Sequence, residues 1–300
     1  MIPRILSDPN PIMVKELRSY TREARFFFTH MGLTIAACLI VLAVTASAHE
    51  MYAAGVEGYD AATLGRRLYN AMQIALLVAV VIMVPGFCAS AVSAEKDRGT
   101  FDLLIGCAVD PLRIVAGKFL AAMAVVAVMT ASVLPLLALT FYFGGVSAVH
   151  VVAFTVTLFL FAALLASCVI YVSSIFDSST WATLSAYLSA FFIGMCFAAF
   201  FQVIAGVETV RDFYGIEATG QGRSGQNLGL GVFMLGWGVP VSFSLWLTAF
   251  FFTAAAAVLD RLPAYRLGAT HRMFKWVRET GLAILAGVGV VSFVLACTGQ

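Results

Sequence analysis

The sequence predicts an all-α fold: a polytopic membrane helix bundle of six transmembrane helices plus a seventh apolar run, with an interfacial helix ahead of the first span. Three observations predict it. Hydrophobic residues make up 61% of the 300 and charged residues only 11%, and the mean hydropathy is +0.96. A soluble domain is about half apolar and about a quarter charged, so a chain this poor in charge cannot cover itself with a water-soluble surface. Apolar runs of membrane-spanning length recur along the chain, and the basic residues are divided unequally between the alternate connections.

The runs fall at 26–47, 70–94, 116–143, 150–174, 181–205 and 238–259, with a weaker one at 281–297. Each is close to the roughly 20 residues needed to cross a hydrocarbon core. The first six hold no Lys, Arg, Asp or Glu in their interiors, as the cost of charge in lipid requires. Helix is the expected form because a backbone in lipid has no water to bond. With the amino terminus inside, Arg4, Lys15, Arg18, Arg22, Arg25, Lys96, Arg98, Arg113, Lys118, Arg261, Arg266, Arg272, Lys275 and Arg278 all face inward. Only Arg66, Arg67, Arg211 and Arg223 face outward. Fourteen against four places the amino terminus in the cytoplasm of a multi-pass cell-membrane protein.

The polar first 25 residues are not expected to form a cleavable signal peptide. Within them, 9–25 reads as an amphipathic helix, with Asn10 as N-cap and Pro11 at the first helical position. Met13, Leu17, Tyr20 and Ala24 recur on one face and Lys15, Arg18, Arg22 and Arg25 on the other, with Glu16 between. Such a helix lies along the inner membrane surface, although the same charges on a solvated linker would set orientation equally well. The chain reads as one domain, 1–300, without internal repeats. Its outer loop, 206–236, has eight glycines and ends in Asn227 to Trp237, apolar but too short to span.

Several chemistries are excluded. Net charge is +2, too small to suggest nucleic acid. Cys38, Cys88, Cys107, Cys168, Cys196 and Cys297 form no C-x-x-C pair and read as small buried apolar residues. Neither a metal nor a cofactor is expected. Gly117-Lys118 is the only Gly-Lys pair, but Leu112 stands where a phosphate loop needs its first glycine and Phe119 where it needs a hydroxyl, so the chain has no ATPase motif. His30, His49, His150 and His271 are isolated. His49-Glu50-Met51 reads as an interfacial cluster rather than a soft-metal site. Pro85-Gly86 and Pro135 mark bends that serve equally well as hinges or as fitted kinks.

The informative segment is the connection 95–115. Glu95 ends the second span. Gly99 stops a helix, Thr100 caps the next with Asp102 in its first turn, and Phe101, Leu104 and Ile105 give that short helix an apolar edge. Asp110-Pro111 is a second cap and start. Two breaks and a short helix in so brief a connection suit a rigid knob for a cytoplasmic partner.

The order Glu95…Gly99-Thr100-Phe101…Leu103-Leu104, then Asp110-Pro111, then Gly117-Lys118 opening a span, resembles the permease subunits of type-two ABC exporters. Asn10-Pro11-Ile12-Met13-Val14-Lys15-Glu16-Leu17-Arg18 is similar to the opening of the same family. The resemblance covers the whole topology, with departures at 281–297 and at Asp110. It implies a cytoplasmic coupling helix at about Thr100 to Gly106 that sits in a cleft of a separate cytoplasmic ABC ATPase subunit. It implies ATPase contacts through Glu95, Gly99, Thr100, Phe101, Leu103 and Leu104, braced by Lys15, Glu16, Arg18 and Arg22. It also implies a second permease copy and a path between the copies driven by the partner's ATP hydrolysis, within membrane lipid. The alternative is a membrane scaffold or assembly factor that docks a partner through the same loop and moves nothing.

Overall fold

The computed structural model describes residues 11–53, 61–89, 91–99, 111–144, 146, 148–205, 239–260 and 275–278. Every regular element among them is helical: α1 (Pro11–Arg22), α2 (Ala24–Ala53), α3 (Ala61–Cys88), α4 (Ser93–Asp97), α5 (Pro111–Phe143), α6 (Ala148–Ile175), α7 (Ser179–Ala205) and α8 (Val239–Asp260), with a helical turn at 275–278. Five stretches, lying in α2, α3 with its extension to Asp97, α5, α6 and α8, are long and apolar enough to cross a membrane. Helix α7, 27 residues long, carries no Asp, Glu, Lys or Arg. The chain is thus an all-helical protein with the character of a multi-pass membrane protein. The loop 206–236, the run 281–297 and the segment Thr100 to Asp110 lie outside the described residues.

Local sequence explains where several helices start and stop. Pro11 and Pro111 each occupy a first helical position, where the missing N–H costs nothing and the fixed φ is already helical. Both ends of α3 differ from expectation. Helix α3 begins at Ala61, so Arg66 and Arg67 stand inside it, because Leu64, Leu68 and Tyr69 of its first turns are already buried. It ends at Cys88 rather than at Glu95. Helix α5 starts at Pro111, as expected, and runs without a break through Gly117 and Lys118.

At the centre stand α3, α5 and α6. Helix α3 buries Leu68, Met72, Leu76, Val80 and Val84 at steps of four against Val125, Met129, Val133 and Leu137 of α5 and Leu158, Leu165 and Val169 of α6. More than half of α6's apolar window is buried (56%) but only 17% of α2's. Helix α2 is therefore peripheral, and its exposed Phe27, Phe28, Ile35, Leu39 and Leu42 are suited to lipid contact. Hydroxyls among the spans turn back on their own helices: Thr45 bonds Val41 O, Thr130 bonds Val126 O and Ser167 bonds Ala163 O. Each thereby satisfies its one donor without water.

Candidate functional site

Charged side chains gather at one end of this bundle, around residues 91–99, where α3 has stopped and the connection to α5 begins. Proline has no N–H and its ring crowds the preceding turn, and α3 stops three residues after Pro85. Ala89 N still reaches Pro85 O at 2.8 Å and Ala91 N reaches Cys88 O at 3.0 Å, but the helical ladder is then lost. Carbonyls past such an end need partners from elsewhere. Ala91 O receives one from Lys118 Nζ at 2.6 Å.

Lys118 is the largest fully buried side chain in the described protein, 1% exposed. Besides Ala91 O it bonds Glu16 Oε1 of α1 at 2.8 Å and lies 3.4 Å from Glu95 Oε1 of α4. Glu95 Oε1 also receives Lys15 Nζ at 3.2 Å. Two lysines and two glutamates from α1, α4 and α5 thus form a neutral cluster with a buried inner end and a solvent-facing Lys15. A buried charge is tolerable only when paired and hydrogen-bonded, and Lys118 is both.

Gly117 makes the cluster possible. A Cβ at this position would stand 2.9 Å from Ile12 Cβ, closer than carbon atoms pack, so hydrogen alone lets α1 lie against the start of α5. The buried stripe of α1 is Ile12, Glu16 and Tyr20, whereas periodicity predicted Met13, Leu17, Tyr20 and Ala24. The helix is turned so that Glu16 meets Lys118, leaving Met13 and Leu17 half-buried and Ala24 exposed. Tyr20 packs edge-on against Phe87 at 5.6 Å, and Phe26 packs on the same ring at 6.3 Å. Phe87 therefore fixes the last turn of α3 to both α1 and α2. The Tyr20 hydroxyl is buried without a hydrogen-bond partner among the described residues. Burial, with the nearby Cys88, Glu16, Glu23 and Glu95, pushes its phenol well above the ordinary range, so it stays protonated.

The other side of α4 is held by the turn between α6 and α7 through exchanged caps. Val92 precedes α4 with no side chain able to cap it. Instead Ser173 Oγ of α6 accepts from Val92 N at 3.1 Å and Ser93 N at 3.2 Å. Lys96 Nζ donates to Ser174 O at 2.9 Å, near the carboxyl end of α6, and pairs with Asp177 at 3.1 Å. Asp97 Oδ2 accepts from Ser179 N at 2.8 Å, at the first residue of α7. Cations at helix carboxyl ends and carboxylates at amino ends are the favourable placements. Here they come from a neighbouring helix.

Gly99 then ends the described segment with φ +66°, a left-handed conformation that glycine adopts without strain. Arg98 N bonds Ala94 O at 3.2 Å and Gly99 N bonds Lys96 O at 3.0 Å, completing a glycine-terminated helix end. Of the site residues read from sequence, Glu95, Lys15 and Glu16 are brought together. Gly99 lies next along the chain, Arg18 and Arg22 are exposed, and Thr100, Phe101, Leu103 and Leu104 lie outside the described residues. Sequence reasoning read Lys118 as an orienting charge and, with Gly117, as the opening of a span, gave it no partner, and did not single out Lys96, Asp97 or Ser173. One signal pointed to Lys118: it is the only charged residue in α5 beyond Arg113.

At the opposite end, Met51 Sδ accepts from Arg67 Nη1 at 3.4 Å, and no cluster of His, Cys, Asp or Glu able to hold a metal occurs among the described residues. The described geometry therefore offers electrostatics and rigidity. No protein-family model, curated protein or solved structure matches the chain. The arrangement defines a class, a multi-pass helical membrane protein with a reinforced polar connection at one end, and any narrower reading rests on the residues themselves.

Proposed function

We propose that the chain is the membrane-spanning permease subunit of a type-two ABC exporter. In this reading it spans the bacterial inner membrane at least six times, α7 included, with α1 along the cytoplasmic surface. It works as a dimer with a separate cytoplasmic ATPase that grips a coupling helix at Thr100 to Gly106. One observation carries the reading: the segment leading into that loop is braced from two sides, by Lys118, Glu16 and Lys15 around Glu95 and by the α6–α7 turn around Lys96 and Asp97. An ordinary connector has no need of a fully buried lysine or exchanged caps. A lever that transmits force does, because any slack at its root is lost motion.

The chemistry asked of this chain is mechanical. Hydrolysis belongs to the partner, and displacement of the loop would pass through α4 to α1, α5 and the α6–α7 turn together. Phe101→Asp tests the reading: it should uncouple ATP turnover from transport or release the ATPase while the spans stay folded. Unchanged co-purification together with unchanged stimulated turnover would refute it.

A second reading, a scaffold that docks a partner and moves nothing, is favoured by the spans themselves. Buried polar groups in their middle portions, such as Thr130 and Ser167, bond their own helices and are thereby not free to line a polar path among the described residues. Reconstituted protein that binds its partner but never moves with nucleotide would favour it.

A further inference from the structure

The cluster around Glu95 leaves out Arg18 and Arg22, the remaining described cations of α1. Lys15 donates to Glu95, whereas Arg18 and Arg22 are exposed and make no ion pair among the described residues. Four apart on one helix, they share a face, and the exposed Ser19 stands next to them. The resemblance counts both arginines among the braces of an ATPase contact. In the described geometry neither reaches Glu95, so their charge is open to another counter-charge.

Contacts along the whole of α1 fix the level of this face. Near its start, Ile12 lies so close to Gly117 that a Cβ on the glycine would stand 2.9 Å from Ile12 Cβ. Midway, Glu16 meets Lys118 at 2.8 Å. Near its end, Tyr20 packs at 5.6 Å on Phe87, in the last turn of α3. Helix α1 is therefore held across the start of α5 and the end of α3, and does not point away from them. Phe26 packs on the same Phe87 ring at 6.3 Å, and Phe26 is the residue where the apolar stretch of α2 begins. Tyr20 and the first residue of that stretch thus stand at one level. Arg22 lies one turn before it in sequence, and Phe27 and Phe28, 64% and 63% exposed, follow it.

We propose that the Arg18–Arg22 face binds the headgroups of anionic phospholipids. Around a membrane-embedded bundle, the groups found where an apolar stretch begins are lipid headgroups. A guanidinium matches a phosphate in a planar, bidentate fashion, and basic side chains just outside a span are attracted to an anionic leaflet. Because Ile12, Glu16 and Tyr20 anchor the opposite face of α1, the helix needs no ordering when lipid binds. The inference rests on the membrane character of the helices and not on the transport reading, which would survive its failure.

The test is native mass spectrometry of the full chain released from nanodiscs of equal phosphatidylglycerol and phosphatidylcholine. Wild-type protein should retain phosphatidylglycerol preferentially. Arg18→Gln with Arg22→Gln should weaken that preference about fivefold per charge, about 25-fold together, while Arg18→Lys with Arg22→Lys should keep most of it. If the neutral double variant does not fold, each single variant reads the fivefold step. Arg98→Gln removes an exposed cation of α4 and should change little. No preference in the wild type, or an undiminished one in a folded neutral variant, overturns the proposal. An equal loss from Arg98→Gln also overturns it, because net charge rather than this face would then set the preference. A photo-crosslinker at position 19 that captures polypeptide rather than lipid in cell membranes overturns it in favour of a protein partner.

Discussion

Lys118 Nζ stands 2.8 Å from Glu16 Oε1 across 102 positions of sequence, with both side chains almost wholly removed from solvent. The pair joins the start of one long helix to a short helix before the first span. Taking away one member of a buried pair leaves the other uncompensated, at about 3–5 kcal/mol, whereas replacing both by apolar groups is far milder. Lys118→Met should therefore lower stability in detergent by about that amount, and Lys118→Met with Glu16→Leu should recover most of it. Thermal unfolding of the four proteins of the double-mutant cycle checks this. Additive losses would show that the two side chains do not interact.

Gly117 predicts a steric effect at the same contact. Gly117→Val should push α1 off α5 and cost about 1–3 kcal/mol, the usual range for overpacking. Ile12→Ala in the same protein should return part of the loss, because Ile12 is the side chain the new Cβ meets. A valine tolerated without change in thermal stability would contradict the close approach.

Tyr20 gives a prediction of opposite sign. Its buried hydroxyl has no partner among the described residues, so the desolvation of that group is uncompensated. Tyr20→Phe should leave stability unchanged or raise it, while Tyr20→Ala, which also removes the ring from Phe87, should cost about 3–5 kcal/mol. A clear loss in the phenylalanine variant would mean that the hydroxyl makes a bond in the membrane-embedded protein.

Ser173 accepts from two backbone N–H groups at the start of α4. Ser173→Ala should cost about 1–3 kcal/mol for the donors left unpaired. Hydrogen exchange at Val92 and Ser93 should quicken more than at residues in the middle of α6. Uniform exchange across both regions would argue against the capping role.

What could be read in the sequence was local. Pro11 and Pro111 open helices where they stand and Gly99 closes one, because each acts through its own φ and its own missing or permitted atoms. The first six apolar runs fall in helices near their expected places, because hydropathy over twenty residues is a sum in which one error matters little. The partners of Lys118 had no local trace. A lysine two turns into a helix looks like an orientation charge until a carboxylate from 102 positions away is folded against it. The face of α1 was misjudged for the same reason: periodicity weighs Glu16 as polar, and only a buried cation makes it an inward residue.

By itself, then, the sequence determined that this is a helical membrane protein, roughly where its long helices run, and that Gly99 and Pro111 punctuate the connection between α4 and α5. Those properties follow from solvent transfer and backbone dihedrals, which act within a few turns. Tertiary structure alone decided which charges meet, that α4 is capped by α6 and in turn caps α7, and that Trp246 Nε1 donates to Val277 O. A polar group in an apolar protein must find its partner wherever packing brings one within about 3 Å, and packing joins residues that no periodicity connects.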